Sequence, residues 1–181
     1  MNQPNRLTIL RVCIIPFFVA AMLCPAIPGG RYIAAALFVI ASFTDFLDGY
    51  LARKYNLITV FGKFMDPLAD KLLVSAALIC FLVGPNREMP AWAVIIIISR
   101  EFIISGFRLV AAERGLTIAA NYWGKIKTVV QMIMSVLLIL NIPHPVFRIV
   151  DVIFIYAAVI LTIISLVDYI FKNRSIMEDV R

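Results

Sequence analysis

Six long apolar runs follow one another along the chain, and short polar segments rich in glycine and proline separate them. The runs cover residues 12–27, 32–51, 64–83, 91–112, 123–140 and 147–171. A helix needs about 20 apolar residues to cross the hydrocarbon core of a bilayer. The pattern therefore predicts an all-α integral membrane protein with about six transmembrane helices, folded as a single domain over residues 1–181. The polar segment before the first run predicts a short N-terminal juxtamembrane helix.

The composition favours a bilayer over a soluble interior. Apolar residues make up 62% of the chain and charged residues 15%, whereas soluble domains average about 45–50% and about 25%. The net charge is +6, and the basic residues lie mostly between the apolar runs. That placement fits contact with anionic lipid headgroups or phosphate substrates, and not with nucleic acid.

Lysine and arginine are unevenly shared between the two sides that six spans create. The N-terminus, the second-to-third segment, the fourth-to-fifth segment and the C-terminal tail are rich in them, while the opposite segments offer only Arg31, Arg87 and Arg148. The positive-inside rule then places both termini in the cytoplasm. The polar start lacks the pattern of a cleavable signal peptide, so the first run is expected to be retained in the cell membrane.

Four aspartates lie in or near the second and third runs, where an uncompensated carboxylate costs about 3 kcal/mol. Asp45 and Asp48 are three residues apart and share one helix face, and Asp66 and Asp70, four apart, share another. Since a short segment joins the two runs, both faces are expected to meet near the cytoplasmic surface. Ligands that offer only oxygen favour Mg²⁺, Mn²⁺ or Ca²⁺, and such ions suit phosphoryl transfer.

Small residues accompany these acids. Gly49 and Ala52 share the face of the first pair, and Gly62 precedes the second pair by one turn. They either allow close helix packing or form a flat wall against which a nucleotide lies. Arg53 is either a topology charge or a phosphate ligand. Beside four acids, the nucleotide wall and the phosphate ligand are the preferred interpretations.

Together these residues form one extended motif. It reads Asp45-x-x-Asp48-Gly49-x-x-Ala52-Arg53, then eight residues, then Gly62-x-x-x-Asp66-x-x-x-Asp70. The motif resembles the signature of the CDP-alcohol phosphotransferase family at every fixed position, and the size of the chain agrees with the fold of that family. The resemblance implies in-line attack of an alcohol on the β-phosphorus of a CDP-activated lipid, with CMP leaving.

The same resemblance implies roles for individual residues. The four aspartates would hold two divalent ions, Mg²⁺ or Mn²⁺, and Asp70 would also be the general base for the acceptor hydroxyl. Residues that would bind the CDP moiety are Asp48, Gly49, Ala52, Arg53, Gly62 and Thr59. The resemblance also implies a homodimer.

Three further segments resemble the branch of the family that transfers from CDP-diacylglycerol to sn-glycerol 3-phosphate. They read Pro4-Asn5-Arg6-Leu7-Thr8-x-x-Arg11, then Ser99-Arg100-Glu101-Phe102 with Gly106-x-Arg108 and Ala111-Ala112, then Gly124-Lys125-x-Lys127-Thr128-x-x-Gln131. The implied product is phosphatidylglycerophosphate. Asn5 and Thr8 either cap the juxtamembrane helix or contact the diphosphate.

An acceptor that carries a phosphate needs fixed cations of its own. Arg108 is the preferred ligand, because it has no acid four residues away. Arg100 is next to Glu101, which favours a local buried ion-pair network. Lys125 and Lys127 are two residues apart and point in different directions on a helix, so one faces the site while the other snorkels. Lys125 is the preferred ligand.

Other reactive residues carry no function in this interpretation. His144 lies in a proline-flanked segment on the far side and is not expected to be catalytic. The cysteines have no spacing typical of a metal site or a disulfide. Asp168 is expected to be solvated or to pair with Lys172, four residues on.

Two alternatives remain. The same four-acid site would serve another acceptor alcohol, such as serine, inositol phosphate or phosphatidylglycerol. A small cation transporter would also need intramembrane carboxylates, although transporters place them near the midplane between related repeats, and no repeat is visible here. A purely structural scaffold has no use for four converging acids.

Overall fold

The computed structural model of the chain describes the backbone of residues 3–55, 60–84, 88–113 and 121–174, and side chains within 10–44, 69, 71–84, 88–112 and 121–174. These residues form helices without strands. The helices are α1 (Gln3–Leu23), α2 (Gly30–Tyr55), α3 (Val60–Val83), α4 (Ala91–Glu113), α5 (Tyr122–Leu140) and α6 (Pro145–Lys172). Each of the six apolar runs is thus a helix, and the predicted all-α fold is confirmed for the described residues.

Helix α1 departs most from the prediction. It is continuous from Gln3 to Leu23, so the polar start forms its first turns and the predicted separate juxtamembrane helix is wrong. Pro4 lies in the first turn, where a proline is tolerated because its missing N–H needs no helical partner. Pro16 lies inside the helix without ending it. The helix stops before Pro25, and Gly29, with a φ of 68°, leads into α2.

The described residues group into two compact units. One comprises Met1–Glu88 with Val136–Asn141, and the other Met89–Ser135 with Ile142–Arg181. Helix α5 contributes its last turn to the first unit and the rest to the second. The predicted single domain stays a prediction.

In the first unit, α1 packs along both α2 and α3, which also contact each other. Phe18 and Phe38 are fully buried, and their ring centroids are 6.0 Å apart. Ala34, Ala69 and Ala77 have at most 1% of their surface exposed. Small residues of this kind let apolar helices approach closely, so α1 is held tightly beside the two acid-bearing helices.

A polar clasp closes one end of the first unit. Arg31, in the first turn of α2, donates from Nη1 to the carbonyl oxygens of Leu138 (3.2 Å) and Ile139 (3.4 Å) in the last turn of α5. Its Nη2 pairs with Oε1 of Glu88, whose side chain is 5% exposed. The guanidinium therefore compensates both a buried carboxylate and the negative end of a helix.

In the second unit, α4 packs against α6. Ile97, Ala158 and Tyr169 are almost completely buried, and the Tyr169 ring meets Phe107 edge-on at 6.2 Å. Helix α6 begins with Pro145 at its first position, and Nδ1 of the preceding residue, His144, accepts from the Val146 N–H at 3.3 Å. The histidine is thus the N-cap of α6.

The surfaces of two helices indicate an apolar environment. Of the described helices, α5 and α6 are long and apolar enough to cross a membrane. The most apolar window of α6 has a mean hydropathy of 2.6, yet only 28% of it is buried within the protein. Water does not favour so much uncovered apolar surface, so the helix is suited to contact lipid. The predicted number of six spans stays a prediction.

Candidate functional site

The two acid-bearing helices form the first part of the candidate site. The backbone of α2 is helical through Asp45 and Asp48, and that of α3 through Asp66 and Asp70. Each pair therefore has the helical spacing on which its prediction depends. The side chains of these aspartates lie outside the described set, and Thr59 lies outside the described residues. For the other predicted site residues the structure describes the backbone but not the surroundings; these are Gly49, Ala52, Arg53, Gly62, Asn5 and Thr8.

Oxygen-only donors on α2 and α3 fit a hard divalent ion such as Mg²⁺. Among the described side chains, no group of three or more histidines, cysteines or acids is placed to hold a metal ion, and the four predicted ligands are not part of that set. The two-metal assignment stays a prediction.

Helix α1 brings a buried cation to the first unit. Arg11 is 2% exposed, and the helix that carries it packs against both acid-bearing helices. A guanidinium removed from water needs negative partners to compensate its desolvation. The sequence identified Arg11 only as a topology charge and a motif residue; its burial is a signal that the structure adds.

An ion-pair network in the second unit joins α4 to α5. Nη1 of Arg100 donates to Oε1 of Glu101 at 3.1 Å, and the same carboxylate oxygen pairs with Nζ of Lys127. Lys127 is 1% exposed and Arg100 is 7% exposed. The predicted ion pair between Arg100 and Glu101 is confirmed. The third member, 26 residues from Glu101, was missed, since no local sequence signal reports a contact at that separation.

The network extends from Arg100 to α6. Its Nε donates to Oγ of Ser165 at 3.2 Å, and Ser165 is fully buried. Each N–H group of a buried guanidinium needs an acceptor. Arg100 thus contacts one acceptor on its own helix and one on α6, which fixes its position.

The start of α5 is held by a second set of contacts. Asn121 accepts the Gly124 N–H at 2.9 Å through its side-chain oxygen, which caps the helix, and it donates to Oδ2 of Asp168 at 2.6 Å. Asp168 also pairs with Lys172 at 2.8 Å, which confirms the predicted pair. An asparagine directly before a helical run is a typical N-cap signal.

Gly124 leaves room for these contacts. A Cβ at this position would lie 2.5 Å from Oδ1 of Asn121 and 3.2 Å from Nη2 of Arg100. The first distance is shorter than any normal contact. Any side chain at residue 124 would therefore displace the cap and crowd the guanidinium.

The structure separates the two lysines of α5. Lys127 points into the network, whereas Lys125 is exposed, as their spacing predicts. Arg108 is also exposed, and neither it nor Lys125 has an ion-pair partner among the described residues. Both are accessible to a phosphate, while Arg100 and Lys127 already contact a carboxylate. The roles of Arg108 and Lys125 as acceptor ligands stay predictions.

Comparison with known proteins adds an independent finding. Residues 1–164 match the family described as CDP-alcohol phosphatidyltransferase. The CDP-diacylglycerol–glycerol-3-phosphate 3-phosphatidyltransferase of Bacillus subtilis (strain 168) is 48% identical, with 95% of each chain covered. The protein of the same name from Haemophilus influenzae is 44% identical, over 93% of this chain and 91% of its own. A probable phosphatidylglycerophosphate synthase of Mycobacterium tuberculosis (strain H37Rv) is 38% identical over 93% of this chain and 80% of its own.

Proposed function

The chain belongs to the CDP-alcohol phosphatidyltransferase family, and we propose that it transfers the phosphatidyl group of CDP-diacylglycerol to sn-glycerol 3-phosphate. The products are phosphatidylglycerophosphate and CMP, which places the enzyme in phospholipid biosynthesis. The observation that carries this proposal is 48% identity, over 95% of both chains, to a relative whose name states this reaction. The eight fixed residues of the motif on α2 and α3 support the chemistry independently.

The acids of α2 and α3 are assigned to metal and proton chemistry. Asp45, Asp48, Asp66 and Asp70 would hold two divalent ions, which supply positive charge to the diphosphate when bound. Asp70 accepts the proton of the acceptor hydroxyl as that oxygen bonds to the β-phosphorus and the bond to CMP breaks.

The residues around the acids are assigned to the nucleotide. Gly49, Ala52 and Gly62 present little side-chain volume, so a cytidine diphosphate can approach the helix backbones. Arg53 supplies a planar donor for phosphate oxygens. Thr59 is assigned to the cytosine.

Exposed cations of the second unit are assigned to the acceptor. Arg108 on α4 and Lys125 at the start of α5 are accessible, and a phosphomonoester needs cations that are not already paired. Asn5 and Thr8 are assigned to the diphosphate or to the start of α1.

We further propose that all six helices span the cell membrane with both termini in the cytoplasm, and that two copies form a homodimer. The uneven distribution of lysine and arginine supports the orientation. The exposed apolar surface of α6 supports lipid contact, and a substrate that resides in the bilayer requires it.

The test is transfer of labelled glycerol 3-phosphate to CDP-diacylglycerol by purified protein in mixed micelles with Mg²⁺. We expect CMP release, complete inhibition by EDTA, and a loss of about 10²–10⁴-fold in Asp70→Asn, the usual contribution of a general base. Asp151→Asn, the same chemical change on α6, should remain active. Use of serine or inositol phosphate instead would refute the acceptor, and failure with every CDP-lipid, followed by a positive ion-flux assay, would favour a cation transporter.

A further inference from the structure

We propose that Glu101 and Lys127 are positioning residues for the acceptor phosphate, because their ion pair helps to set the orientation of α5, the helix that carries Lys125. The inference rests on the proposed function. It adds two residues that do not themselves touch substrate, and loss of either should raise the KM for glycerol 3-phosphate.

The ion pair between Glu101 and Lys127 links α4 to α5. Oε1 of Glu101 receives Arg100 from its own helix at 3.1 Å and Lys127 from α5. The Lys127 side chain is 1% exposed and that of Glu101 is 18% exposed. Buried ion pairs add little net stability compared with apolar packing, and their best-documented use is to fix register. A lysine held at 1% exposure by a carboxylate on the next helix is suited to that use.

Register connects the pair to the exposed Lys125. Lys125 precedes Lys127 by two residues and lies on nearly the opposite side of α5. Because Lys127 is anchored inward, Lys125 is directed outward, as its exposure shows.

A small rotation of α5 is enough to change whether Lys125 reaches a phosphate. A side-chain tip about 5–6 Å from the axis moves by about 2 Å when its helix rotates by about 20°. Hydrogen bonds to phosphate are restricted to roughly 2.7–3.2 Å. Loss of the anchor therefore moves Lys125 out of bonding range without unfolding α5.

The surrounding contacts explain why the pair, and not Arg100 alone, sets the orientation. Arg100 is bonded to Ser165 on α6 and lies against Gly124, so it holds its place when Lys127 is removed. Helix α5 then keeps its N-cap at Asn121 but loses its ion pair with α4, which helps to set its rotation. The expected defect is misplacement of Lys125, not loss of the fold.

The experiment measures the KM for each substrate separately, in full-length protein with Glu101→Gln, Lys127→Met, the double variant and Lys127→Arg. Each of the first two should raise the KM for glycerol 3-phosphate about 10- to 100-fold, the cost of displacing a binding group by an ångström or two. The KM for CDP-diacylglycerol and kcat should stay within about twofold, since neither depends on the rotation of α5. Lys127→Arg should restore most of the affinity.

The double variant tests whether the two residues act together. Since either single change breaks the same link, the double variant should be no worse than the poorer single variant. Lys172→Met, which breaks an ion pair whose lysine is 63% exposed, is the control and should leave both KM values unchanged.

Two results would overturn the inference. One is an unchanged KM for glycerol 3-phosphate in both single variants. The other is a parallel rise in both KM values together with a lower thermal midpoint, which marks a purely structural role. If Lys127→Met does not fold, the same two KM values are measured in Glu101→Gln, whose side chain is equal in size to the native one. Wild-type protein that transfers nothing to glycerol 3-phosphate refutes the proposed function first, and this inference with it.

Discussion

The clasp at Arg31 offers a direct test of how this protein holds its first unit together. Arg31→Met keeps much of the length and apolar character of the side chain but removes the guanidinium. The change breaks the ion pair with Glu88 and the two hydrogen bonds to the carbonyls of Leu138 and Ile139. It also leaves a carboxylate whose side chain is only 5% exposed.

The magnitude follows from that burial. Removing one partner of a buried ion pair typically costs about 3–5 kcal/mol, because the other charge is left uncompensated. The Arg31 side chain is 24% exposed, so water partly replaces it and the lower end applies. Oε2 of Glu88 has no hydrogen-bond partner among the described atoms, so Arg31 supplies the main compensating charge among the described residues. We therefore expect Arg31→Met to lower the free energy of unfolding by about 3 kcal/mol.

Glu88→Gln is the complementary change. It removes the buried charge while Arg31 keeps its two carbonyl acceptors, so we expect a smaller loss of about 1–2 kcal/mol. The double variant should be less destabilised than the sum of the single variants, since no carboxylate is then left without its cation.

The measurement is equilibrium unfolding in mixed micelles with increasing SDS, followed by loss of helical circular dichroism. Lys172→Met is the matched control, because its ion pair with Asp168 is exposed and should contribute less than about 1 kcal/mol. Equal destabilisation by Arg31→Met and Lys172→Met would refute the reasoning, since burial would then not decide the value of the pair. Strict additivity in the double variant would do the same.

Two further predictions concern helix ends. His144→Ala should lower the free energy of unfolding by about 1 kcal/mol through loss of the N-cap of α6, His144→Asn should retain it, and both should keep transferase activity, as SDS unfolding and the transfer assay will show. Gly124→Ala should lower thermal stability and weaken glycerol 3-phosphate binding, because a Cβ there crowds Asn121 and Arg100. Gly106→Ala should be neutral or stabilising, because nothing lies within 4 Å of its Cβ. Equal melting temperatures for the two alanine variants would contradict this prediction.

The helices could be predicted because hydrophobic length is a strong local signal. The predicted start of the fourth run is the observed start of α4 at Ala91, and the predicted end of the fifth is the observed end of α5 at Leu140. The N-terminus was predicted less well. Polarity suggested a separate surface helix, but no residue between Pro4 and Pro16 breaks a helix, so α1 continues through the change in polarity.

In the candidate site, groupings within one helix could be predicted from the sequence, whereas contacts between helices could not. Helical spacing was enough to group Asp45 with Asp48 and Asp66 with Asp70, since both members of each pair belong to one helix. Contacts between helices follow a different rule. Glu101 and Lys127 are joined across 26 residues, and the N-cap at Asn121 is tied to Asp168 across 47, so that neither contact has a periodic signature.

The lysines of α5 show why spacing alone cannot assign a binding role. A separation of two residues requires Lys125 and Lys127 to point in different directions, but it does not say which is inward. The structure supplies the missing reference, because the carboxylate of Glu101 is matched to Lys127. A buried cation that already pairs with a carboxylate has less to offer a phosphate than an exposed, unpaired one. Compensation inside the second unit therefore separates the cations that hold helices together from those, Arg108 and Lys125, that remain accessible to a substrate.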